Sequence, residues 1–186
     1  MIYMFLAEGF EEIEALAPLD ILRRSQIEVE TVSITDNQVV IGSHGVIVLA
    51  DRILPALDWD DAEMIILPGG LPGSTNLDAC EELREGIMKL YSEGKPLAAI
   101  CAAPQVYGHL GILKGIKATC YPGVETEMEG AQYTAARVEQ DGQFITGNGP
   151  GAAMEFGYVI AELIKGKDAV APLRKGMMYE MGSLVI

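Results

Sequence analysis

Apolar and polar positions alternate in blocks along the chain, and the blocks predict strands and helices in turn. Short runs rich in apolar and β-branched residues predict buried strands. They are Ile2–Ala7, Ile27–Thr35, Met64–Leu67 and Leu97–Ile100. Two further runs, 136–139 and 143–146, flank Gln140-Asp141-Gly142, which is typical of a hairpin. Two weaker β-type runs, 39–41 and 46–49, predict a second, smaller hairpin.

The segments between the strands have apolar residues at helical spacing. They predict helices over 11–25, over 78–91 with Cys80 on it, from Pro104 onward, from the 147–151 glycine turn to 164, and over 167–178. Pro18 should bend the first helix because its ring crowds the Glu14 carbonyl. Strands that alternate with helices predict an α/β fold, a three-layer α/β/α sandwich around a mostly parallel sheet.

Length and charge narrow the class of protein. The 186 residues fit one domain over 1–186, and 49% hydrophobic with 22% charged residues is typical of a soluble globular protein. A net charge of −14 argues against nucleic acid, because phosphate binding needs clustered Lys and Arg. We expect no membrane span and no signal peptide, and therefore a cytoplasmic protein.

Cysteine and histidine usage argues against a metal site. Cys80, Cys101 and Cys120 are an odd number without Cys-x-x-Cys spacing, which predicts neither a disulfide framework nor zinc. Only His44 and His109 are present. We therefore expect no metal and no cofactor.

Candidate chemistry lies where predicted strands end. Cys101 follows a strand and precedes a helix, where the helix dipole should lower the pKa of a thiol; a buried, inert cysteine is the alternative. Glu14 borders the buried face of the first helix. Gly69-Gly70 predicts either outward N–H groups that bind an anion or only a tight turn. The carboxyl ends of parallel strands share one edge of a sheet, so these residues can meet in one crevice.

Other residues with possible chemistry have more ordinary interpretations. Cys80 lies among acidic residues and should be unreactive. We expect His44 on a surface loop and His109 packed on its helix. The 147–151 turn could hold a phosphate, but no basic residue flanks it in the sequence. The tail from Tyr179 onward predicts nothing.

Four segments together resemble the ThiJ/PfpI superfamily, and within it the branch of the Parkinson-disease protein deglycase. They run in family order along nearly the whole chain: Leu6-Ala7-Glu8-Gly9-Phe10-Glu11-Glu12-Ile13-Glu14, Leu67-Pro68-Gly69-Gly70, Ala98-Ala99-Ile100-Cys101-Ala102-Ala103-Pro104, and Gly149-Pro150-Gly151-x-x-x-Glu155-Phe156. The resemblance implies a flavodoxin-like, class I glutamine amidotransferase-like fold and a homodimer.

The same resemblance assigns roles to site residues. Cys101 would be the nucleophile in a strained turn, and Glu14 a protonated acid hydrogen-bonded to it. Gly70 and Ala102 would supply the N–H groups of an oxyanion pocket, with Gly69 and Tyr121 beside the substrate. Ala102 stands where the protease-like branch has histidine, which argues against peptidase chemistry, and the distant His-x-Glu of amidotransferases is missing.

Tyr121 holds the place where the deglycase branch commonly has a histidine. A phenol can relay a proton but is a poor base at neutral pH. The resemblance implies a cysteine-dependent enzyme that acts on small α-oxoaldehydes or their adducts, of glyoxalase or protein deglycase type. The alternatives are a redox-responsive cysteine sensor or chaperone-like stress protein, and a role in thiamine or thiazole biosynthesis that the ThiJ label suggests.

Overall fold

A seven-stranded, mostly parallel sheet forms the centre of the protein in the computed structural model, which describes residues 1–179. The strand order is β10-β11-β7-β6-β1-β2-β5, and the β10–β11 pair alone is antiparallel in this sheet. The strands are β1 (Ile2–Leu6), β2 (Val29–Ser33), β5 (Arg52–Ile53), β6 (Met64–Leu67), β7 (Leu97–Ile100), β10 (Val138–Asp141) and β11 (Phe144–Gly147). Residues 180–186, which include most of the tail that predicted nothing, lie outside the described part.

Two pairs of short strands lie apart from this sheet. The antiparallel pair of β3 (Val39–Ile41) and β4 (Ile47–Leu49) confirms the smaller predicted hairpin. The other pair joins β8 (Lys117–Ala118) to β9 (Gln132–Tyr133) in parallel, which the sequence did not predict. The hairpin matters for function because its tip reaches the site described below.

Helices cover both faces of the sheet, which confirms the predicted three-layer α/β fold. Alternate residues of β1 point to opposite faces: Met4 and Leu6 pack into one apolar core, and Tyr3 and Phe5 into the other. The first core contains residues of α1 and α5, and the second contains residues of α3 and α4. The helices are α1 (Glu12–Arg24), α2 (Gly73–Ala79), α3 (Glu81–Ser92), α4 (Pro104–His109), α5 (Ala153–Lys165) and α6 (Lys167–Gly176).

The predicted helix over 78–91 is wrong in one respect. The chain forms two helices here, α2 and α3, and Cys80 lies between them rather than on either. Its backbone is extended, with φ −83° and ψ 100°, so the helical hydrogen bonding is interrupted at this residue. Cys80 therefore caps the start of α3.

The order of the central strands decides where a site can form. When the edge strands β5 and β10 are left out, the five central strands are, along the chain, β1, β2, β6, β7 and β11, and they lie in the order 2-1-3-4-5. This is the flavodoxin-like order. The first and third strands are neighbours in the sheet, and the chain connections leave them in opposite directions. Ligands bind outside the carboxyl ends of the strands at that point. No helix within residues 1–179 combines the length and apolar character that crossing a bilayer requires.

Candidate active site

Cys101 occupies a strained turn directly after β7. Its φ is +64°, a left-handed conformation that non-glycine residues rarely adopt. Two backbone hydrogen bonds hold it there: the Cys101 N–H donates to the Gly147 carbonyl at 2.8 Å, and the Tyr121 N–H donates to the Cys101 carbonyl at 2.8 Å. Strands and loops from two other parts of the chain therefore fix this one residue.

Glu14 lies fully buried in the first turn of α1, beside Cys101. The Glu11 carboxylate caps this helix by accepting the Glu14 N–H at 2.7 Å. The Glu14 Oε2 atom accepts the N–H of Gly69 at 2.9 Å. The Glu14 Oε1 atom is buried without a hydrogen-bond partner, and the Cys101 side chain is close enough to influence the pKa of this carboxyl. The sequence placed Glu14 and Cys101 in one crevice, and the structure brings them into contact.

Gly69 lies against both Glu14 and Cys101. Its N–H is directed at Glu14 and is therefore not free to hold a substrate oxygen. Its lack of a side chain is needed, because a Cβ atom would lie 2.5 Å from Glu14 Oε2 and 2.7 Å from Cys101 Cβ. Gly69 therefore holds the acid and is not part of the cavity wall described below, and its expected place beside the substrate stays a prediction.

Burial governs the ionisation of this pair. Burial raises the pKa of Glu14 to about 7; the hydrogen bonds from Cys101 and Gly69 act in the opposite direction, and the neighbouring Glu11 adds to the rise. Burial also raises the pKa of the Cys101 thiol, and the Glu14 carboxylate raises it further by charge repulsion and by its hydrogen bond. Two buried groups in contact cannot easily both be anions, so the pair holds at most one negative charge near neutral pH.

The expected lowering of the thiol pKa by a helix start is therefore not what the structure shows. The α4 helix has only six residues, and burial and the adjacent Glu14 carboxylate are the largest influences on the pKa of Cys101. Two backbone N–H groups, from Ala102 and Gly70, do act to lower the pKa of Cys101. A thiolate therefore forms more readily when Glu14 carries no charge.

Gly70 and Ala102 both have backbone N–H groups close enough to the Cys101 thiol to act on its pKa, and their role in an oxyanion pocket stays a prediction. Gly70 has φ +91°, a conformation that glycine adopts at low cost. It also lies tight against the loop before α1, because a Cβ atom would be 2.5 Å from the Gly9 carbonyl oxygen. The two N–H groups come from the ends of neighbouring strands, β6 and β7.

A cavity of about 300 Å³ opens above these groups. Its wall contains Cys101, Glu14, Gly70, Ala102 and Tyr121 of the predicted site. The wall is completed by Glu11, Ser43, His44, Leu71, Val124 and Pro150. Pro150 belongs to the 147–151 glycine turn, which was one possible phosphate-binding site in the sequence. The nearby Arg137 could in principle bind a phosphate, but its guanidinium already donates hydrogen bonds to Glu155 and to the Gly151 carbonyl.

His44 is the residue of this cavity that the sequence interpretation missed. It lies at the tip of the β3–β4 hairpin with a 72% exposed side chain, so the surface position is confirmed. The same hairpin tip nevertheless lines the cavity next to Cys101. The Glu12 carboxylate accepts the His44 N–H at 2.6 Å and contacts its Nδ1 at 2.7 Å. The sequence feature that could have drawn attention to His44 is the turn Gly42-Ser43-His44-Gly45.

Glu11, Glu12 and His44 also have ligand atoms within 4.8 Å of one another, which makes them the candidate metal ligands among the described residues. Their oxygens already have partners. Glu11 caps α1, and Glu12 accepts N–H groups of the hairpin tip. These bonds, with that to the His44 ring, lower the pKa of Glu12 to about 2 although burial alone would raise it. Hydrogen bonds at the start of α1 and at the hairpin tip therefore account for the positions of these three residues.

The remaining cysteines and histidine lie outside the cavity wall. Burial raises the pKa of Cys80, and the adjacent Glu82 and Glu81 act in the same direction, which agrees with the expected low reactivity. Burial raises the pKa of Cys120 to about 12. His109 is partly exposed rather than packed, and its ring bridges Asp78 at 2.7 Å and Glu127 at 3.0 Å.

Comparison with known proteins identifies the family. Protein DJ-1 homolog B of Arabidopsis thaliana is 41% identical over 167 residues, 88% of this chain and 38% of that protein. A protein named deglycase from Pyrococcus abyssi is 32% identical over 162 residues, 86% of this chain and 96% of that protein. The chain spans less than half the length of the two Arabidopsis relatives, 38% and 44%.

A solved structure extends the likeness to three dimensions. Oxidized DJ-1 of Toxoplasma gondii superposes with a TM-score of 0.91 at 31% identity, over 95% of this chain and 97% of that one. The DJ-1/PfpI family pattern itself matches residues 1–163, which include every residue of the cavity wall. The chain therefore belongs to the DJ-1/PfpI family.

Proposed function

We propose that the protein is a cysteine-dependent enzyme that converts small α-oxoaldehydes, or their adducts, to 2-hydroxy acids. One observation carries the proposal: a buried carboxyl with a pKa of about 7 touches a thiol at the floor of a small cavity. A base with a pKa near the working pH is well suited to take up and return protons. The likeness to a protein named deglycase supports the same chemistry.

The first step uses three elements of the site. As Cys101 Sγ attacks the aldehyde carbon, its proton passes to the Glu14 carboxylate, and the C=O electron pair moves to the oxygen. The N–H groups of Gly70 and Ala102 stabilise that oxyanion. Glu14 then returns the proton to the oxygen, which yields a hemithioacetal and regenerates the carboxylate.

The later steps move hydrogen from the first carbon to the second. Glu14 removes the proton from the carbon bound to sulfur, the C–H electrons form a carbon–carbon double bond, and the ketone oxygen takes up a proton. Glu14 then delivers its proton to the neighbouring carbon, and the hydroxyl on the first carbon loses its proton, so the number of protons is unchanged. The first carbon is oxidised to a thioester, and the second is reduced to an alcohol. Water then cleaves the thioester, releasing the 2-hydroxy acid and the Cys101 thiol. No external oxidant or reductant is required.

Methylglyoxal turnover tests this proposal. Wild type should form lactate, whereas Cys101→Ser should lose activity at least about 1,000-fold because the nucleophile is gone. Glu14→Gln should lose about 100-fold or more because no base remains. Cys80→Ser is the matched control and should keep wild-type turnover. Equal lactate formation by wild type and Cys101→Ser would refute the proposal.

A redox role is the second candidate, because the same groups can hold an oxidised sulfur. Two N–H donors already reach Cys101, and a protonated Glu14 would be a third donor for a sulfinate. Two equivalents of peroxide convert a thiol to a sulfinic acid and yield two waters. Mass spectrometry after mild peroxide treatment should show addition of two oxygens at Cys101 alone. Equal oxidation of Cys80 would exclude a dedicated sensor.

We also propose a homodimer in the cytoplasm. Apolar side chains of the β3–β4 hairpin are exposed, among them Ile47 at 66% and Leu49 at 69%, and such a surface is typical of a contact between chains. All three cysteines are free thiols, which fits a reducing compartment. Light scattering should give twice the chain mass at low concentration, and a single-chain mass would refute the dimer.

A further inference from the structure

His44 is held at the edge of the cavity by contacts from the loop before α1. The Gly9 N–H donates to the Ile41 carbonyl at 2.8 Å, and the Ser43 N–H donates to the Phe10 carbonyl at 2.8 Å. The hairpin tip is thus tied to the loop that leads into the helix of Glu14. Although its side chain is largely exposed, His44 has a defined place relative to the acid and the thiol.

The ring of His44 is oriented by one carboxylate. Its Nδ1 lies 2.7 Å from Glu12 Oε2 and 3.1 Å from the Ser43 hydroxyl, so Nδ1 carries the proton that Glu12 accepts. Among the described residues, Nε2 of His44 has no hydrogen-bond partner. His109 provides the contrast, because carboxylates occupy both of its ring nitrogens. Both ring nitrogens of His109 are therefore occupied, whereas His44 is a residue of the cavity wall whose Nε2 is not used by the described part of the fold.

The charges around His44 favour its protonated form. The hydrogen bond to Glu12 raises the pKa of His44 most, the charge of Glu12 adds to this, and Glu11 contributes in the same direction. The groups that face the ring are these two acids from the start of α1 and the Ser43 hydroxyl on the hairpin. The cavity therefore contains a base at its floor and a proton donor at its edge.

The proposed reaction has a place for such a donor. An α-oxoaldehyde has two oxygens, and the N–H groups of Gly70 and Ala102 serve the aldehyde oxygen. When Glu14 removes the proton from carbon, negative charge develops on the ketone oxygen, which these two groups do not serve. A second acid must stabilise that charge, and Tyr121 is a weak donor for it.

Resting on the proposed function, we infer that His44 is a second acid–base residue, which protonates the ketone oxygen of the bound α-oxoaldehyde through Nε2. As Glu14 takes the proton from the first carbon, the C–H electrons form a carbon–carbon double bond, and the ketone oxygen receives the proton of His44. Glu14 then protonates the second carbon. The hydroxyl on the first carbon gives its proton to the neutral imidazole, so both residues are regenerated and the thioester forms.

Steady-state kinetics with methylglyoxal test this role. The variant His44→Asn keeps an N–H that can reach Glu12 and removes the far nitrogen. Its kcat should fall about 100-fold or more, within the range for loss of a general acid. Iodoacetamide should still alkylate Cys101 at the wild-type rate, which shows that the nucleophile and the fold are intact. His109→Asn, at the chain's other histidine, should leave kcat unchanged.

The pH profile gives a second readout that a purely structural role would not move. In wild type, kcat should decline as the pH rises through the raised pKa of His44, because the acid is lost. Glu12→Gln removes the charge that raises this pKa, so the alkaline decline should move to lower pH. His44→Asn should lack the decline.

The outcomes separate this inference from the proposed function. Unchanged kcat in His44→Asn overturns the role of His44 while the cysteine mechanism stands, and a loss confined to Tyr121→Phe assigns the acid to Tyr121 instead. If wild type forms no lactate, or Cys101→Ser forms as much, the proposed function fails and this inference fails with it. A loss in His44→Asn with unchanged alkylation of Cys101 supports both.

Discussion

Two cysteines of this protein precede helices, yet only one has a site assembled around it. Cys80 directly precedes α3, and the N–H groups of Leu83 and Glu82, its own neighbours in the chain, act to lower the pKa of its thiol. Cys101 precedes α4 and interacts with Ala102, but also with Gly70 after β6 and Glu14 after β1. The nearest charges to Cys80 are the acids of its own helix start, Glu81 and Glu82.

The difference shows what a helix start can and cannot supply. Any thiol at such a position finds local N–H groups, and both cysteines have them. Burial nevertheless raises the pKa of both. What distinguishes Cys101 is a buried acid that can exchange a proton with it and a cavity that admits a substrate. Both come from strand ends that are distant in sequence.

The largest expected effect comes from distorting the turn at Gly70, which lies beside Cys101 and not beside Cys80. Gly70→Ala places a methyl group 2.5 Å from the Gly9 carbonyl oxygen, in a backbone conformation that alanine adopts at a cost. Strain and crowding together should lower the free energy of unfolding by at least about 3 kcal/mol. Urea unfolding measures this loss, and alkylation of Cys101 should change while that of Cys80 does not.

Gly94→Ala is the control for that substitution. Gly94 also has a positive φ, +71°, but no atom lies within 4 Å of its Cβ position. Only the conformational cost remains, so the loss should be about 1 kcal/mol. Equal losses at the two glycines would show that the contact between Gly70 and the Gly9 loop does not hold the site together.

The next effect is the pH dependence that Glu14 gives to stability. Its pKa rises from 4.5 in the unfolded chain to about 7 in the folded protein, so the folded state binds the proton more tightly. The stabilisation is complete below the unfolded pKa and is lost as the pH rises through about 7. Between about pH 4 and about pH 8, wild type should lose roughly 3 kcal/mol relative to Glu14→Gln. Parallel stability curves from urea unfolding would contradict the buried acid.

A smaller effect is expected on the pKa of the Cys101 thiol in Glu14→Gln, where the thiol should ionise more easily although turnover falls. Glu14→Gln removes the carboxylate that raises the pKa of Cys101, so the midpoint of alkylation against pH should fall by about one unit or more. That of Cys80 should stay in place. Turnover should fall in the same variant, since the base is gone. A midpoint that rises instead would mean that Glu14 mainly stabilises the thiolate.

Much of the fold follows from local patterns. The apolar runs that predicted β1, β6 and β7 are strands buried on both faces, and the spacing of apolar residues located α1 and α5. The junction at Cys80 could not be predicted, because the helical pattern continues through it and its extended backbone depends on packing. That the protein forms a single domain over 1–186 remains a prediction, since the described structure ends at residue 179.

The site was predictable where chemistry follows directly from a strand end. Cys101, Glu14 and Gly70 meet as the carboxyl ends of parallel strands require. His44 could not be found this way, because the β3–β4 hairpin is outside the main sheet and only its bonds to Glu12 and the 9–10 loop place it at the cavity. The raised pKa of Cys101 could not be predicted from the sequence either, because it depends mainly on how deeply the thiol is buried, and a position before a helix does not reveal that.

The smallest effect is expected at the other cysteine, with Cys80→Ser. A serine hydroxyl can accept the N–H bonds of Leu83 and Glu82 at the start of α3, and serine is a favoured residue at this position. The partly buried sulfur loses some apolar contact, so the net change in the free energy of unfolding should stay within about 0.5 kcal/mol. Urea unfolding and lactate formation should both match wild type. A loss above about 2 kcal/mol, or any loss of turnover, would mean that Cys80 is coupled to the Cys101 site through the α2–α3 junction, and that the difference between the two cysteines is smaller than their surroundings indicate.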